Sequence, residues 1–400
     1  NAPDPFAPAK LGPITIRNRF IKAATFEGMA PKGVVTEGLI DYHRAVVAGG
    51  VGMTTLAYCA VSSDGRGAPG EIIMNDDAIP GLRKFTEMVH QHGAAASAQL
   101  GHAGPVATGT GHKGLTPSRV FSPMAMQFTR AVDENDIARI IGDFANAARV
   151  ARESGFDAIE LHFGHGYLIS AFLSPKLNRR KDRWGGSIEN RARFAREVAT
   201  KVRSTVGDSI AVIAKLNMAD GTPGGLWVDE SLQVARLLES DGTLDALELT
   251  GGSSFGNPMY LFRGEAPVRE MAQMMPPPLD KGFKLFGKRF LPEYPFEEAY
   301  FLPYARQFRD ALRMPLVLLG GINRLDTVQR AMAEGFEFVA MGRALLREPD
   351  LIEKMRTGTS TEALCVHCNK CMPSIYQGTH CVLVEPSARP GIHAKDVPAA

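Results

Sequence analysis

Two histidines and a tyrosine stand close together in the chain, in a pattern that suits hydrogen bonding and proton transfer. His162 and His165 are three residues apart, and Tyr167 follows two residues later, directly after the apolar run Phe156–Leu161. Two imidazoles can donate hydrogen bonds to a carbonyl or anionic oxygen, and a tyrosine can supply a proton. The alternatives are a metal-binding pair or histidines that only cap a strand. We predict that the three residues are catalytic.

Further polar side chains stand where other apolar runs end. Gln99, Lys215 and Thr250 are predicted to end strands in the same way as the first histidine. A buried lysine suits a ring that gains negative charge on reduction. The alternative is an ion pair between this lysine and Glu160 or Glu248.

Glycines in the last third of the chain predict a phosphate site. Gly320-Gly321 follows one apolar run, and Gly342-Arg343 follows the next. Glycine lets backbone N–H groups approach an anion closely, and the positive end of a following helix adds to this attraction. Arg343 can add a bidentate contact.

Four of the five cysteines form a cluster. Cys365, Cys368, Cys371 and Cys381 fall within 17 residues, while Cys59 stands alone. In a chain without a recognisable secretion signal, such a cluster indicates a metal site before a disulfide framework.

The elements that must position these side chains alternate regularly. Helical patterns, each closed by a glycine, precede short apolar runs from about residue 80 to residue 355. Such alternation predicts a parallel sheet, and eight runs favour an α/β fold of the (β/α)8 TIM-barrel type. An N-terminal dinucleotide-binding glycine fingerprint is absent, which lowers the Rossmann alternative. The predicted strands are Phe20–Ala24, Met53–Ala60, Ala94–Leu100, Phe156–His162, Ile210–Leu216, Leu244–Thr250, Pro315–Leu319 and Phe336–Met341.

Two regions interrupt this alternation of helical patterns and apolar runs. Residues 101–132 are rich in Gly, Thr and Pro and predict a long loop after the third strand. Residues 251–298 predict a long insertion after the sixth strand, either a substrate lid or a mobile surface segment. We therefore expect a barrel over residues 1–355 and a Cys-rich C-terminal extension over residues 356–400.

Composition narrows the class of protein. The chain has 45 Lys and Arg residues against 43 Asp and Glu residues. Its net charge therefore gives no sign of electrostatic binding to nucleic acid or to a membrane surface. No apolar run approaches the ~20 residues of a membrane-spanning helix. The first residues lack the features of a signal peptide, and a cytoplasmic enzyme is expected.

Several segments resemble the Old Yellow Enzyme family, in particular the branch with 2,4-dienoyl-CoA reductase and trimethylamine dehydrogenase. The resemblance covers residues 5–385 and is strongest over residues 162–191, which read HFGHGYLISAFLSPKLNRRKDRWGGSIENR. Shorter matches are NRFIKAA at residues 18–24, QLGHAG at 99–104, LLGGI at 318–322 and MGR at 341–343.

The resemblance implies FMN as cofactor, NADH or NADPH as reductant and an α,β-unsaturated carbonyl compound as substrate. Both histidines would hold the carbonyl oxygen, hydride would pass from flavin N5 to the β-carbon, and Tyr167 would protonate the α-carbon. Lys215 would lie beside the N1–C2=O edge of the flavin and replaces a usual arginine. The residues expected against the flavin ring are Ala24, Thr25, Ala60 and Gln99. Phe26 stands where many relatives have Cys or Thr.

The cysteine segment resembles the [4Fe–4S] segment of trimethylamine dehydrogenase, with a shorter final gap. Zinc held by all four cysteines and thiols without metal are the alternatives.

Three functions follow as hypotheses. The first is NAD(P)H-dependent reduction of activated C=C bonds. The second is a dehydrogenase or demethylase that passes electrons through a cluster to an external carrier. The third is a non-redox, metal-dependent barrel enzyme. A homo-oligomer is compatible with each of the three.

Overall fold

The computed structural model, which describes residues 1–392, 398 and 399, is built around eight parallel strands. Each strand pairs with the next along the chain, and β8 pairs with β1, so that the sheet closes into a barrel. The predicted (β/α)8 TIM barrel is confirmed. Its strands are β1 (Phe20–Lys22), β2 (Met53–Ala60), β3 (Ala95–Gly101), β4 (Ala158–Phe163), β5 (Ala211–Ala219), β6 (Ala246–Gly251), β7 (Leu316–Leu319) and β8 (Phe338–Met341).

Helices surround the barrel and form where capping residues meet an apolar stripe. In α3, Asp133 caps the first turn in a reciprocal pair with Asp136, and Ile137, Ile140 and Phe144 bury one face. The helices are α1 (Glu37–Ala48), α2 (Ile79–Gln91), α3 (Glu134–Glu153), α4 (Leu168–Leu173), α5 (Ile188–Val206), α6 (Val228–Asp241), α7 (Val268–Gln273), α8 (Leu279–Phe290), α9 (Leu302–Ala311), α10 (Leu325–Ala333), α11 (Arg343–Arg347) and α12 (Leu351–Arg356). No helix within the described ranges is long and apolar enough to cross a membrane.

Side chains alternate between the barrel interior and the helical layer, as successive strand residues must. On β5, Ile213 belongs to an inner apolar cluster, whereas Val212 and Ala214 belong to the outer one. Small residues dominate the inner cluster, because little room remains inside an eight-stranded barrel. The antiparallel hairpin Ala9–Leu11 and Ile14–Ile16 adds apolar side chains to the same cluster.

Two strands extend past the polar side chains that were predicted to end them. β3 continues to Gly101 and β5 continues to Ala219, so neither Gln99 nor Lys215 lies at a strand end. The prediction of these ends was wrong, because an inward polar side chain was interpreted as the end of an apolar run. Both side chains are buried and lie below the rim of the barrel.

The two predicted interruptions are present as connections after β3 and β6. The first contains the short strands Leu115–Thr116, Phe121–Ser122, Gln127–Phe128 and Arg130–Ala131. The second contains α7 and α8, and α8 exposes Leu285 and Phe290. The amide of Glu265 donates to the carbonyl of His367 at 3.1 Å, so the second connection packs against the Cys-rich segment.

The Cys-rich segment also crosses back to the first strand of the barrel. The amide of Thr379 donates to the carbonyl of Glu27 at 2.8 Å, and its hydroxyl donates to the carbonyl of Phe26. Arg347 donates to the carbonyl of Leu383 at 2.7 Å. This segment therefore holds the loop that follows β1. Residues 393–397 and 400 of the predicted extension lie outside the described residues.

Candidate active site

A buried polar layer spans the barrel interior beneath the mouth. Lys215 Nζ lies 3.0 Å from Glu248 Oε2 and 3.6 Å from Glu160 Oε2. Gln99 Nε2 donates to Glu160 Oε2 at 2.6 Å. The ion pairs considered from the sequence are therefore both present, and they hold the lysine in one position.

Burial and charge act against each other in this layer. Burial lowers the pKa of Lys215, but the two carboxylates outweigh it and the pKa is raised, so the lysine stays charged. Burial and the neighbouring Glu248 raise the pKa of Glu160. The layer thus places a fixed cation inside the barrel below the two histidines.

The structure brings His162, His165 and Tyr167 together at the end of β4. The His162 ring centroid lies 5.0 Å from that of His165 and 4.5 Å from that of Tyr167. His162 is buried, while the other two side chains are half-buried and can be reached from the mouth. The predicted catalytic residues therefore form a single cluster of hydrogen-bond donors.

A strained turn carries this cluster. His165 has φ +60° and Gly166 has φ +78°, and a Cβ on Gly166 would lie 2.3 Å from Ser253 Oγ. Only glycine fits this position. The amide of His165 donates to Asn217 Oδ1 at 3.0 Å, which anchors the turn to β5.

Both imidazoles are neutral. Burial lowers the pKa of His165 to about 3, and it lowers the pKa of His162 well below its ordinary value. The amide of Gly164 donates to His162 Nδ1 at 3.3 Å, so the ring proton resides on Nε2. His165 Nε2 is 2.9 Å from the hydroxyl oxygen of Thr250. Neutral imidazoles whose hydrogen-bond partners are fixed are suited to donate hydrogen bonds rather than to gain or lose a proton.

A stability measurement tests this neutrality. The unfolded histidine titrates near pH 6.5, about 3.5 units above the folded His165, so the unfolded chain binds the extra proton below pH 6.5. Stability contributed by the neutral ring is therefore present above pH 6.5 and lost as the pH falls. Relative to His165→Asn, wild type should lose about 1.4 kcal/mol per pH unit between pH 6 and pH 4 in urea unfolding.

The exposed His112 supplies the matched control, because His112→Asn removes an imidazole from the surface. This variant should follow the wild-type curve. Parallel wild-type and His165→Asn curves down to pH 4 would contradict the neutral ring.

The rim near β1 and β2 offers an apolar wall. Ala57, Tyr58 and Ala60 form a small buried cluster apart from the two main cores, and Ala24 and Phe26 pack against it. Of the residues predicted to contact a flavin ring, Ala24 and Ala60 thus lie together. The Thr25 hydroxyl accepts a hydrogen bond from Lys22 Nζ at 2.8 Å and lies 3.2 Å from the Tyr42 hydroxyl.

The predicted phosphate residues lie where β7, β8 and the second connection meet. Gly320 has φ +107°, and a Cβ there would lie 2.6 Å from the Phe301 ring. A Cβ on Gly321 would lie 2.6 Å from Tyr300, and one on Gly342 would lie 3.4 Å from Thr25. Glycine is therefore required at Gly320 and Gly321, where a side chain would collide with Phe301 or Tyr300, whereas at Gly342 a Cβ would meet its neighbour at an ordinary contact distance.

Two guanidinium groups flank this turn. Arg343 donates to Asn369 Oδ1 at 2.6 Å, to the Arg263 carbonyl at 2.8 Å and to the Tyr300 hydroxyl at 3.4 Å. Arg263 stacks 4.9 Å above the Tyr300 ring. The apolar wall and the buried lysine fit the ring of FMN. The glycine turn with its two cations fits the phosphate of FMN.

The four clustered cysteines line one cavity beside Arg343. Its empty volume, open solvent included, is about 350 Å³. Burial raises the pKa of Cys371 to about 12. Within residues 1–392, 398 and 399, no three His, Cys, Asp or Glu side chains are arranged to hold a metal ion. An iron–sulfur cluster or a zinc ion at these cysteines stays a prediction.

Sequence reasoning missed two residues of the site. Tyr58 stands inside β2, which is buried along its whole length, and nothing in the spacing separates it from its neighbours. Arg263 lies in the second connection, whose path could not be predicted. The only sequence signal for either residue was its side-chain type.

The sequence of the chain is similar to known proteins over nearly its whole length. A family model described as the NADH:flavin oxidoreductase / NADH oxidase family matches residues 4–245. A 4,4'-dithiodibutanoate disulfide reductase of Rhodococcus erythropolis is 54% identical over 386 residues, which is 96% of each chain.

Solved structures show the same fold. The 2-naphthoyl-CoA reductase complex is 25% identical with a TM-score of 0.77, over 93% of this chain and 55% of that one. The Old Yellow Enzyme homologue of Zymomonas mobilis is 22% identical with a TM-score of 0.74, over 100% of both chains. The chain thus spans about half of the naphthoyl-CoA reductase.

Proposed function

This chain belongs to the NADH:flavin oxidoreductase / NADH oxidase family, and from that premise we propose that it reduces the S–S bond of small organic disulfides with NADH or NADPH. The net reaction consumes one disulfide, one reduced nicotinamide and one proton, and it yields two thiols and the oxidised nicotinamide. The resemblance to the Old Yellow Enzyme family is confirmed, and the proposed substrate differs from the enone that it implied.

Similarity to the disulfide reductase carries this proposal. The identity of 54% extends over 96% of both chains, so the relative has no large domain that this chain lacks. The site agrees with the chemistry, because cleavage of an S–S bond creates a thiolate. Two neutral imidazoles, the hydroxyl of Tyr167 and the buried cation Lys215 are suited to stabilise that negative charge.

Each group has a separate task. Bound FMN would accept hydride from the nicotinamide and deliver it to the substrate. Ala24, Ala60 and Gln99 would hold its ring, and the glycine turn with Arg343 would hold its phosphate. His162 and His165 orient the substrate through their ring N–H groups. The Tyr167 ring centroid lies 4.5 Å from that of His162, and its hydroxyl can donate a hydrogen bond to the sulfur that gains negative charge.

Reduction of α,β-unsaturated carbonyl compounds is the second candidate. The observation in its favour is the cluster itself, since the same two imidazole donors would stabilise an enolate oxygen and Tyr167 would protonate the α-carbon. The two candidates share one site and differ in the atom that receives hydride.

Steady-state kinetics separate the two candidates. Protein reconstituted with FMN is mixed with NADH or NADPH and either 4,4'-dithiodibutanoate or 2-cyclohexenone, and free thiols are counted. We expect two thiols for each nicotinamide oxidised and at least tenfold higher kcat/KM for the disulfide. Turnover of the enone alone would establish the second candidate. Turnover of neither substrate would overturn both and leave the cluster-linked dehydrogenase.

A further inference from the structure

Tyr58 adds a hydroxyl to the donor cluster from β2, which is separated from β4 by one strand. It lies on β2 and is 3% exposed. Its ring stacks on Tyr167 with centroids 5.2 Å apart and planes at 25°, and it meets the His162 ring edge-on at 6.1 Å. One aromatic group therefore contacts two of the three predicted catalytic residues.

The hydroxyl of Tyr58 is directed into the mouth of the barrel. A Cβ on Gly101 would lie 2.7 Å from this hydroxyl oxygen. Gly101 is two residues beyond Gln99 on β3, so the two residues face the same side of the strand. Because Gln99 bonds to Glu160 inside the barrel, the tyrosine hydroxyl occupies the inward side of the strand above that bond.

This hydroxyl is buried without a hydrogen-bond partner among the described residues. A buried polar group left unpaired costs free energy, and phenylalanine would fill the same volume without that cost. Packing alone therefore gives no reason for the oxygen atom. A ligand that accepts a hydrogen bond in the mouth gives one.

We propose that Tyr58 is a further catalytic residue, whose hydroxyl donates a hydrogen bond to the sulfur that leaves as thiolate. The inference rests on the proposed function. Hydride brings its electron pair and bonds to one sulfur. The S–S bond breaks, and the electron pair of that bond remains on the other sulfur, beside the tyrosine. Tyr58 keeps its proton, and the thiolate takes up a proton from water.

The electrostatics of the pocket agree with a donor that does not ionise. Burial, followed by the nearby Glu71 and Tyr167, raises the pKa of Tyr58 well above its ordinary value. A thiol is a stronger acid than such a phenol, so the proton stays on the tyrosine while the hydrogen bond stabilises the charge.

Tyr58→Phe tests the role in FMN-reconstituted protein. We expect kcat/KM to fall about 10- to 100-fold, the affinity for the product 4-mercaptobutanoate in calorimetry to fall about tenfold, and the urea unfolding midpoint to stay equal or rise. A residue that only packs the site would leave both kcat/KM and product affinity unchanged, because phenylalanine fills the same volume.

Tyr304→Phe is the matched control, since its hydroxyl bonds to Tyr260 away from the cluster. It should retain wild-type turnover. Wild-type turnover of the disulfide decides the proposed function. The role of Tyr58 is decided by the ratio of kcat/KM between Tyr58→Phe and wild type, measured on whichever substrate the wild type reduces. A ratio near one, or a lowered unfolding midpoint that accompanies the loss, would overturn the inference.

Discussion

The double variant His162→Ala, His165→Ala will lower kcat/KM of the reconstituted enzyme by about 10³- to 10⁴-fold. Removing one preorganised donor to a developing anion costs about 10²- to 10³-fold. The two rings touch, so their effects are not expected to multiply fully. The loss should lie in kcat rather than in KM, because the charge that the imidazoles stabilise appears during reaction.

A conservative variant and a surface variant serve as controls for this result. His165→Asn keeps a donor at the end of the side chain and should recover at least tenfold of the loss seen in His165→Ala. His112→Ala removes an exposed imidazole and should leave the kinetics unchanged. If the double variant stays within tenfold of wild type, the histidines do not contact the reacting atoms.

The second large effect concerns stability. Lys215→Met will lower the free energy of unfolding by about 3–5 kcal/mol at pH 8, because it leaves two buried carboxylates without their cation. Glu160 and Glu248 face that lysine at 3.6 and 3.0 Å. Urea unfolding of the FMN-free protein measures the loss, and Lys201→Met at an exposed position should change stability by less than about 0.5 kcal/mol.

The pH dependence of this variant has a definite sign. Without the lysine, the pKa of Glu160 rises further above its unfolded value, so the folded state binds more protons than the unfolded chain. Stability must then fall as pH rises above about 4.5 through the folded pKa. The defect should be smaller at pH 5 than at pH 8, and Glu248→Gln should partly rescue it. A uniform defect would show that lost packing, not charge, is responsible.

The barrel could be predicted because the sequence patterns that indicate it each lie within a short stretch of the chain. Each helix with its closing glycine and apolar run lies within one βα unit, and the predicted strands match the observed ones to within a few residues. The cluster of His162, His165 and Tyr167 was also predictable, since all three lie on one short segment.

The remaining parts of the site depend on contacts across the barrel. The role proposed for Tyr58 depends on its contact with Tyr167, which lies after β4, immediately before α4. Arg263 reaches the glycine turn only because its connection folds over β7. The strand ends at Gln99 and Lys215 were misplaced because these two inward positions are polar, and a polar residue type does not show whether a side chain points into the barrel or marks the end of a strand.

The hydrogen bonds between Thr379 and the loop after β1 join two segments that are synthesised far apart in time. Phe26 and the threonine that holds its carbonyl are 353 residues apart, so the ribosome makes the loop long before its anchor. A nascent chain can complete all eight strands while this part of the rim is still untethered. Until Thr379 has been synthesised, the loop that carries Phe26 therefore lacks the hydrogen bonds that hold it.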